Sequence, residues 1–159
     1  MRRKNDSYFT PEYTINSLLN FLSIPHETSF LEPCFGNGSI YNKINCQKKY
    51  FAEVASGIDY LQKDFIDIDL IITNPPFSLA QEFLEKSLSE AKTVCYLLRL
   101  NFLESQKRYT WWQDKTPDKL LVLSKRPSFT GKGTDSQAYA WFVWDKLGVC
   151  KLDKGIHVI

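Results

Sequence analysis

Asn74-Pro75-Pro76-Phe77 directly follows Ile68-Asp69-Leu70-Ile71-Ile72-Thr73, an apolar run suited to a strand covered on both faces. Two consecutive prolines stiffen the backbone and remove two donors. The side-chain oxygen of Asn74 and the carbonyl of Pro75 can then aim at one spot as fixed acceptors, which suits an NH2 group. Phe77 adds a flat face on which a planar base can stack. The plainer alternative is a proline turn that only stops a strand.

A second segment with chemical content is Glu32-Pro33-Cys34-Phe35-Gly36-Asn37-Gly38. It follows a short apolar run, Ser29-Phe30-Leu31, and its two glycines let a ligand approach the backbone closely. In dinucleotide enzymes such a turn meets a pyrophosphate. Here the third glycine of Gly-x-Gly-x-x-Gly is replaced by Tyr41, and the acidic Glu32 at the strand end would repel a pyrophosphate. A cationic or amine-bearing ligand is the better match. Taken alone, the motif is explained equally well as a plain tight turn.

The surrounding pattern alternates helices and strands. Thr10 is expected to cap a helix that has Pro11 at its first position, carries Ile15, Leu18, Leu19 and Leu22 at helical spacing, and stops at Pro25. A helix is expected from Ser39 to about Ile44, and a strand from Lys49 to Val54 that presents Glu53 at its end. After Phe77 comes a helix with Leu79, Phe83, Leu84 and Leu88. Strands follow at Thr93–Leu100, Leu120–Leu123 and Tyr139–Trp144. This alternation means an α/β layer fold with a largely parallel sheet, in which ligands bind at the carboxyl ends of the strands. Glu32 and Asn74 should therefore face one edge.

Bulk composition narrows the class further. The 159 residues suit one domain with its own core. A net charge of +2 is too small to announce a nucleic-acid binder, although Arg2-Arg3-Lys4, Lys48-Lys49 and Lys125-Arg126 with Lys132 form basic clusters. Cys34, Cys46, Cys95 and Cys150 are widely spaced and far in sequence from His26 and His157, which argues against a zinc site. The cysteines read as free thiols of a reducing cytoplasm. No signal peptide is expected, and no apolar run approaches the length of a membrane span.

Asn74-Pro75-Pro76-Phe77 resembles the catalytic tetrapeptide of the amino-methyltransferases, (Asp/Asn/Ser)-Pro-Pro-(Tyr/Phe/Trp), and Glu32–Gly38 resembles the cofactor turn of the same family. The chain is similar to small phage-type DNA N6-adenine methyltransferases over nearly its whole length. That resemblance implies a Rossmann-like S-adenosylmethionine-dependent methyltransferase fold, with a mostly parallel seven-stranded sheet, helices on both faces and the last strand antiparallel. It implies one catalytic domain over residues 1–159 with no separate target-recognition domain. Its cofactor would be S-adenosylmethionine and its partner DNA, with RNA as the alternative. No metal and no membrane would be involved, and the chain would be a monomer or weak dimer in the cytoplasm of a bacterial or phage-infected cell.

The resemblance also assigns roles. Asn74, Pro75, Pro76 and Phe77 would be catalytic. Tyr8-Phe9-Thr10-Pro11 would cover the methionine part of the cofactor, while Glu32, Pro33, Cys34, Gly36 and Gly38 would form its turn. Glu53 would accept both ribose hydroxyls, and Asp59 and Tyr60 would read the cofactor's adenine; Asp64-Phe65 offers the same acid–aromatic pair five residues on. Apart from the resemblance, the charge, glycines and aromatic of Lys125–Gly133 read as a loop that would hold phosphates through Lys125, Arg126 and Lys132 and pack near a base flipped out of its stack through Phe129. An ordinary hairpin loop explains residues 125–137 equally well, and Trp111-Trp112 reads better as packing than as a stacking platform. Loops 101–118 and 125–137 would give low or short-site specificity. A glutamine side-chain amide as acceptor, a catalytically inactive nucleic-acid-binding module and a nicotinamide-dependent dehydrogenase are the rival readings. The dehydrogenase leaves the two prolines unexplained.

Overall fold

The computed structural model describes residues 9–159; Tyr8 and the Arg2-Arg3-Lys4 cluster lie outside the described residues. Seven strands form one sheet: β1 (Ser29–Glu32), β2 (Lys48–Phe51), β3 (Ile68–Thr73), β4 (Ala91–Arg99), β5 (Lys119–Val122), β6 (Tyr139–Asp145) and β7 (Gly155–Val158). Their spatial order is β2-β1-β3-β4-β6-β5-β7. The sheet is the mostly parallel Rossmann-like one expected, with a single antiparallel strand. That strand is β6, the sixth rather than the last. β7 follows it in the chain and adds to the edge parallel to β5.

The alternation of side chains along the central strands builds two cores. Leu70 and Ile72 of β3, Cys95 and Leu97 of β4, and Tyr139, Trp141 and Val143 of β6 face one side, where they meet Ile15 and Leu18 of helix α1 (Glu12–Leu19). Ile71, Val94, Tyr96, Leu98, Ala140, Phe142 and Trp144 face the other, against Phe83 and Leu84 of α2 (Ala80–Glu90) and Trp112 of α3 (Tyr109–Lys115). The continuous apolar runs of β3, β4 and β6 thus reflect strands covered on both faces. Trp111 and Trp112 belong to this packing.

Three local expectations are revised. α1 ends at Leu19 because Leu22 is captured in a β-bridge with Cys150, and Ser23 N–H donates to the Val149 carbonyl. Residues 39–44 hold only a 3-10 turn at Tyr41–Lys43; the segment is too short to offset helix nucleation, and the Asn37 side chain binds Ser39 N–H instead. Thr10 does not cap α1. Pro11 occupies the cap position in an extended conformation, and the Thr10 hydroxyl is turned elsewhere.

Candidate functional site

β1 and β3 are parallel neighbours in register, Phe30 opposite Leu70 and Leu31 opposite Ile71. The chain leaves β1 toward β2 on one side and returns as β3 on the other, so this is the point where the sheet's connections reverse and where α/β sheets open a crevice. Glu32 lies one residue past the Leu31–Ile71 pair and Asn74 three residues past it. They line one narrow crevice of about 20 Å³ together with Phe9, Thr10, Cys34 and Gly36. Two acceptors in this region have no hydrogen-bond partner: the buried Oε2 of Glu32 and the buried Oδ1 of Asn74. Asn74 Nδ2 donates to Thr10 Oγ1 at 3.2 Å, so the Asn74 amide is pinned by its nitrogen and presents its oxygen. Burial pushes the Glu32 carboxyl well above the ordinary carboxylate range; the Tyr41 backbone N–H opposes this, Glu53 adds to it, and Lys49 opposes it.

The turn after Glu32 owes its shape to Gly36 and Gly38, at φ +55° and +78°. A Cβ on Gly38 would lie 2.9 Å from the Phe35 ring and 3.0 Å from Asn42 Nδ2, so both conformation and space require glycine there. Phe35, Tyr41 and Phe51 pack ring to ring beneath the turn at 4.7–5.9 Å. Gly36 N–H donates to Glu53 Oε2 at 2.9 Å, and Ala55 N–H to Glu53 Oε1 at 3.2 Å. The carboxylate at the β2 side is thereby tied to the β1 turn.

A second cleft of about 260 Å³ adjoins this one and shares Cys34 with it; Pro33, Glu53, Asp59, Tyr60, Pro76, Leu79 and Phe83 also line it. Asp59 is held by Leu61 N–H at 3.0 Å and faces this cleft. Asp64 does not: it is ion-paired to Lys86 and lines a different depression, with Lys48 and Tyr50. The Tyr60 ring is buried against Phe65 and Phe83, and its hydroxyl donates to Glu90 Oε2 at 2.8 Å and meets Ser87 Oγ at 3.0 Å. Its hydroxyl is therefore committed to the fold, while the residue forms part of the cleft wall.

Around Phe77 the structure assembles residues that sequence reasoning did not single out. The Arg99 guanidinium, at the end of β4, lies 4.3 Å from the Phe77 ring centroid. Its Nε donates to the Tyr139 hydroxyl at 3.0 Å, that hydroxyl donates to Asp135 Oδ2 at 3.0 Å, and Arg99 also pairs with Asp135 at 3.6 Å. Tyr139 packs between Phe77 (6.1 Å) and Phe129 (5.3 Å), which brings Phe129 to the Phe77 side. Burial raises the Asp135 pKa, but the Gln137 N–H, Tyr139 and Arg99 together hold it below the ordinary carboxylate value.

The basic residues of loop 125–137 do not converge on the crevice. Lys125 lies over the Tyr13 ring at 4.2 Å; Arg126 and Lys132 are exposed. Tyr13 instead ties this loop to α1, its hydroxyl donating to the Arg126 carbonyl at 3.0 Å and accepting from Ser128 N–H at 2.8 Å. A tyrosine in the first turn of a helix carries no local sign of such a long-range bond, and an arginine at a strand end none of stacking. Among the described residues there is no cluster of three or more His, Cys, Asp or Glu suited to a metal, and no helix is long and apolar enough to cross a membrane.

No protein-family model and no curated protein sequence matches this chain. Solved structures do. The chain superposes on the methyltransferase subunit of a type I restriction-modification system from Streptococcus thermophilus with a TM-score of 0.69, at 14% identity, over 92% of this chain and 46% of that one. It matches a dimethyladenosine transferase from Plasmodium falciparum with a TM-score of 0.62, at 13% identity, over 84% of this chain and 60% of that one. The 23S rRNA methyltransferase ErmE matches with a TM-score of 0.61, at 12% identity, over 92% and 72% of the two chains. The chain thus spans under half the length of the restriction-modification subunit, and what it shares with all three is the methyltransferase fold.

Proposed function

We propose that this chain is an S-adenosylmethionine-dependent methyltransferase acting on the N6 amino group of adenine in DNA, with low or short-site specificity, and that residues 1–159 act as one catalytic domain. The observation that carries the reading is the pair of buried, unpartnered acceptors, Glu32 Oε2 and Asn74 Oδ1, on residues of two adjoining strand ends that line one crevice. A buried acceptor without a donor is costly, and both would be completed by ligands bearing N–H groups.

The residues present fit the cofactor. Glu32 would take its ammonium, Glu53 its ribose hydroxyls, and the 260 Å³ cleft with Asp59, Leu61, Leu79 and Phe83 its adenine ring. Phe9, half exposed beside Gly36, and Pro11 would close over the methionine end, a role Tyr8 would share. When bound, the cofactor supplies an electrophilic methyl group on a sulfonium.

The chain's own part is to present the nucleophile. An adenine amino group is weakly nucleophilic because its lone pair is delocalised into the ring. Asn74 Oδ1, aimed by the bond from its Nδ2 to Thr10, and the Pro75 carbonyl would accept the two amine hydrogens and localise that pair. Pro76 keeps the turn stiff, and the Phe77 ring, backed by Arg99, fixes the plane of the base. The same fixed dipoles oppose the positive charge that grows on N6. In a duplex the base must first leave the stack, at a cost of a few kcal/mol. Phe129 would close on it, with Lys125, Arg126 and Lys132 serving the strand's phosphates.

RNA is the second reading, favoured by the likeness to a dimethyladenosine transferase and an rRNA methyltransferase. One experiment tests both: unmethylated DNA and RNA pools incubated with methyl-labelled cofactor, followed by nucleoside analysis. N6-methyladenine is expected in DNA with the native chain, and Asn74→Ala should lower its rate of formation by about 10²–10³, with cofactor affinity little changed. Label in RNA alone would move the substrate to RNA. Label in neither pool would end the methyltransferase assignment.

A further inference from the structure

Beside the Phe77 ring lies a cleft of about 510 Å³, within the range of small-molecule sites, that shares no lining residue with the crevice of Glu32. Gln81 of α2, Arg99 at the end of β4, and Asn101, Phe102 and Arg108 from the segment that follows β4 line it together with Phe77. It therefore includes the ring against which the target base would stack and is separate from the clefts proposed for the cofactor.

Arg108 is the distinctive group here. It is half-buried, and its Nε donates to the Phe102 carbonyl at 3.0 Å while the guanidinium lies 4.3 Å from the Phe102 ring centroid. None of the ion pairs among the described residues includes it. Arg99, in contrast, is paired with Asp135. Burial works against the charge on Arg108, and no carboxylate offsets that cost. A half-buried guanidinium oriented by one ring and one carbonyl, with its terminal amino groups left for a ligand, is suited to an anion with paired oxygens.

Asn101 and Gln81 bring side-chain amides to the cleft, the donor–acceptor chemistry that reads a base edge; Gln81 Nε2 donates to Glu85 Oε1 at 3.0 Å, which fixes that amide and leaves its oxygen as an acceptor. Glu82 and Glu104, exposed at its rim, can accept from a base amino group and do not favour phosphate, which leaves Arg108 as the anion contact.

We propose that this cleft seats the nucleotide joined to the target base, with its phosphodiester on Arg108 and its base edge against Asn101 and Gln81. The inference rests on the reading that a flipped base stacks on Phe77, and it makes the cleft the source of the short-site preference.

The test uses the full chain with fluorescent single-stranded oligonucleotides that carry one adenine and every combination of flanking bases. Anisotropy at several salt concentrations gives affinity and salt slope, and nucleoside analysis gives methylation of the same strands. Arg108→Gln is expected to weaken binding of all sequences alike and to reduce the salt slope by about one phosphate contact. Arg108→Lys should keep the slope, and cofactor affinity should be unchanged in both. Asn101→Ala and Gln81→Ala should instead alter the ranking of flanking bases by roughly 5- to 100-fold, the range of a single base contact. If the native chain methylates and these variants match it in slope and ranking, the cleft is not the subsite. If the native chain neither binds nor methylates these oligonucleotides, made both as DNA and as RNA, the underlying methyltransferase reading falls, and the subsite with it.

Discussion

Glu32 is 2% exposed, one of its oxygens lacks a partner, and its proton is held more tightly than an ordinary glutamate's, chiefly through burial. The folded chain therefore binds a proton that the unfolded chain has already released, in the window between the ordinary glutamate value and the raised one. Across that window the stability of the ligand-free protein falls as pH rises, because the unfolded state binds fewer protons there. Glu32→Gln should remove this decline and leave the ligand-free chain more stable than the native one near pH 7, as urea titrations from about pH 4 to pH 8 would show. A cation arriving beside Glu32 reverses the balance and expels the proton. Binding of S-adenosylmethionine should then release a proton, seen as a calorimetric enthalpy that varies with the ionisation heat of the buffer in the native chain and not in Glu32→Gln. An enthalpy independent of buffer in the native chain would place the ligand's ammonium away from Glu32.

Among the elements, β6 is the one whose placement depends most on a single polar group. Asp145 at its end accepts from Lys119 Nζ at 2.8 Å, from the Thr93 hydroxyl at 3.1 Å and from the Val149 and Cys150 N–H groups at 3.0 Å, joining β4, β5, β6 and the turn beyond. Its side chain is fully buried and that of Lys119 is 8% exposed. Asp145→Ala leaves the buried ammonium with no carboxylate, only the Cys150 carbonyl at 3.5 Å, and should cost roughly 3–5 kcal/mol, measured by chemical denaturation, without touching any residue of the crevice. The strands this knot joins were legible as apolar runs because strands covered on both faces must be continuously apolar. So were the two loops at the crevice, whose glycines and prolines are dictated by local backbone geometry. β7 was not legible: Gly155-Ile156-His157-Val158 is a largely exposed edge with Ile156 and Val158 turned outward, so no burial pattern marks it. α3 hid behind Tyr-Thr-Trp-Trp, a run of weak helix formers that packing of Trp112 holds in place. Arg99 and Tyr13 act through partners 22 or more residues away, and such pairs are set by the sheet order, not by spacing.

At the scale of the molecule, the sheet reverses its connections between β1 and β3, and three surfaces radiate from that point: the 260 Å³ cleft on one side, Phe77 with Arg99 and Tyr139 on the other, and Thr10 across the top. Thr10 and Tyr13 lie three residues apart at the start of α1; one holds Asn74, and the other holds the loop that carries Phe129. Tyr13→Phe removes both loop bonds and should raise the KM for polynucleotide several-fold while cofactor affinity stays near native. Hydrogen exchange at residues 126–128 should quicken in the same variant; unchanged exchange there would mean the loop is held by other contacts. Because residues 9–13 line the crevice with Glu32 and also hold the loop that carries Phe129, the proposed donor and strand would not bind independently of each other. On the proposed function, a donor that settled the start of α1 would set the posture of the loop offered to the strand, so turnover should follow a compulsory order, with donor first, polynucleotide second, and the methylated strand departing before the spent donor.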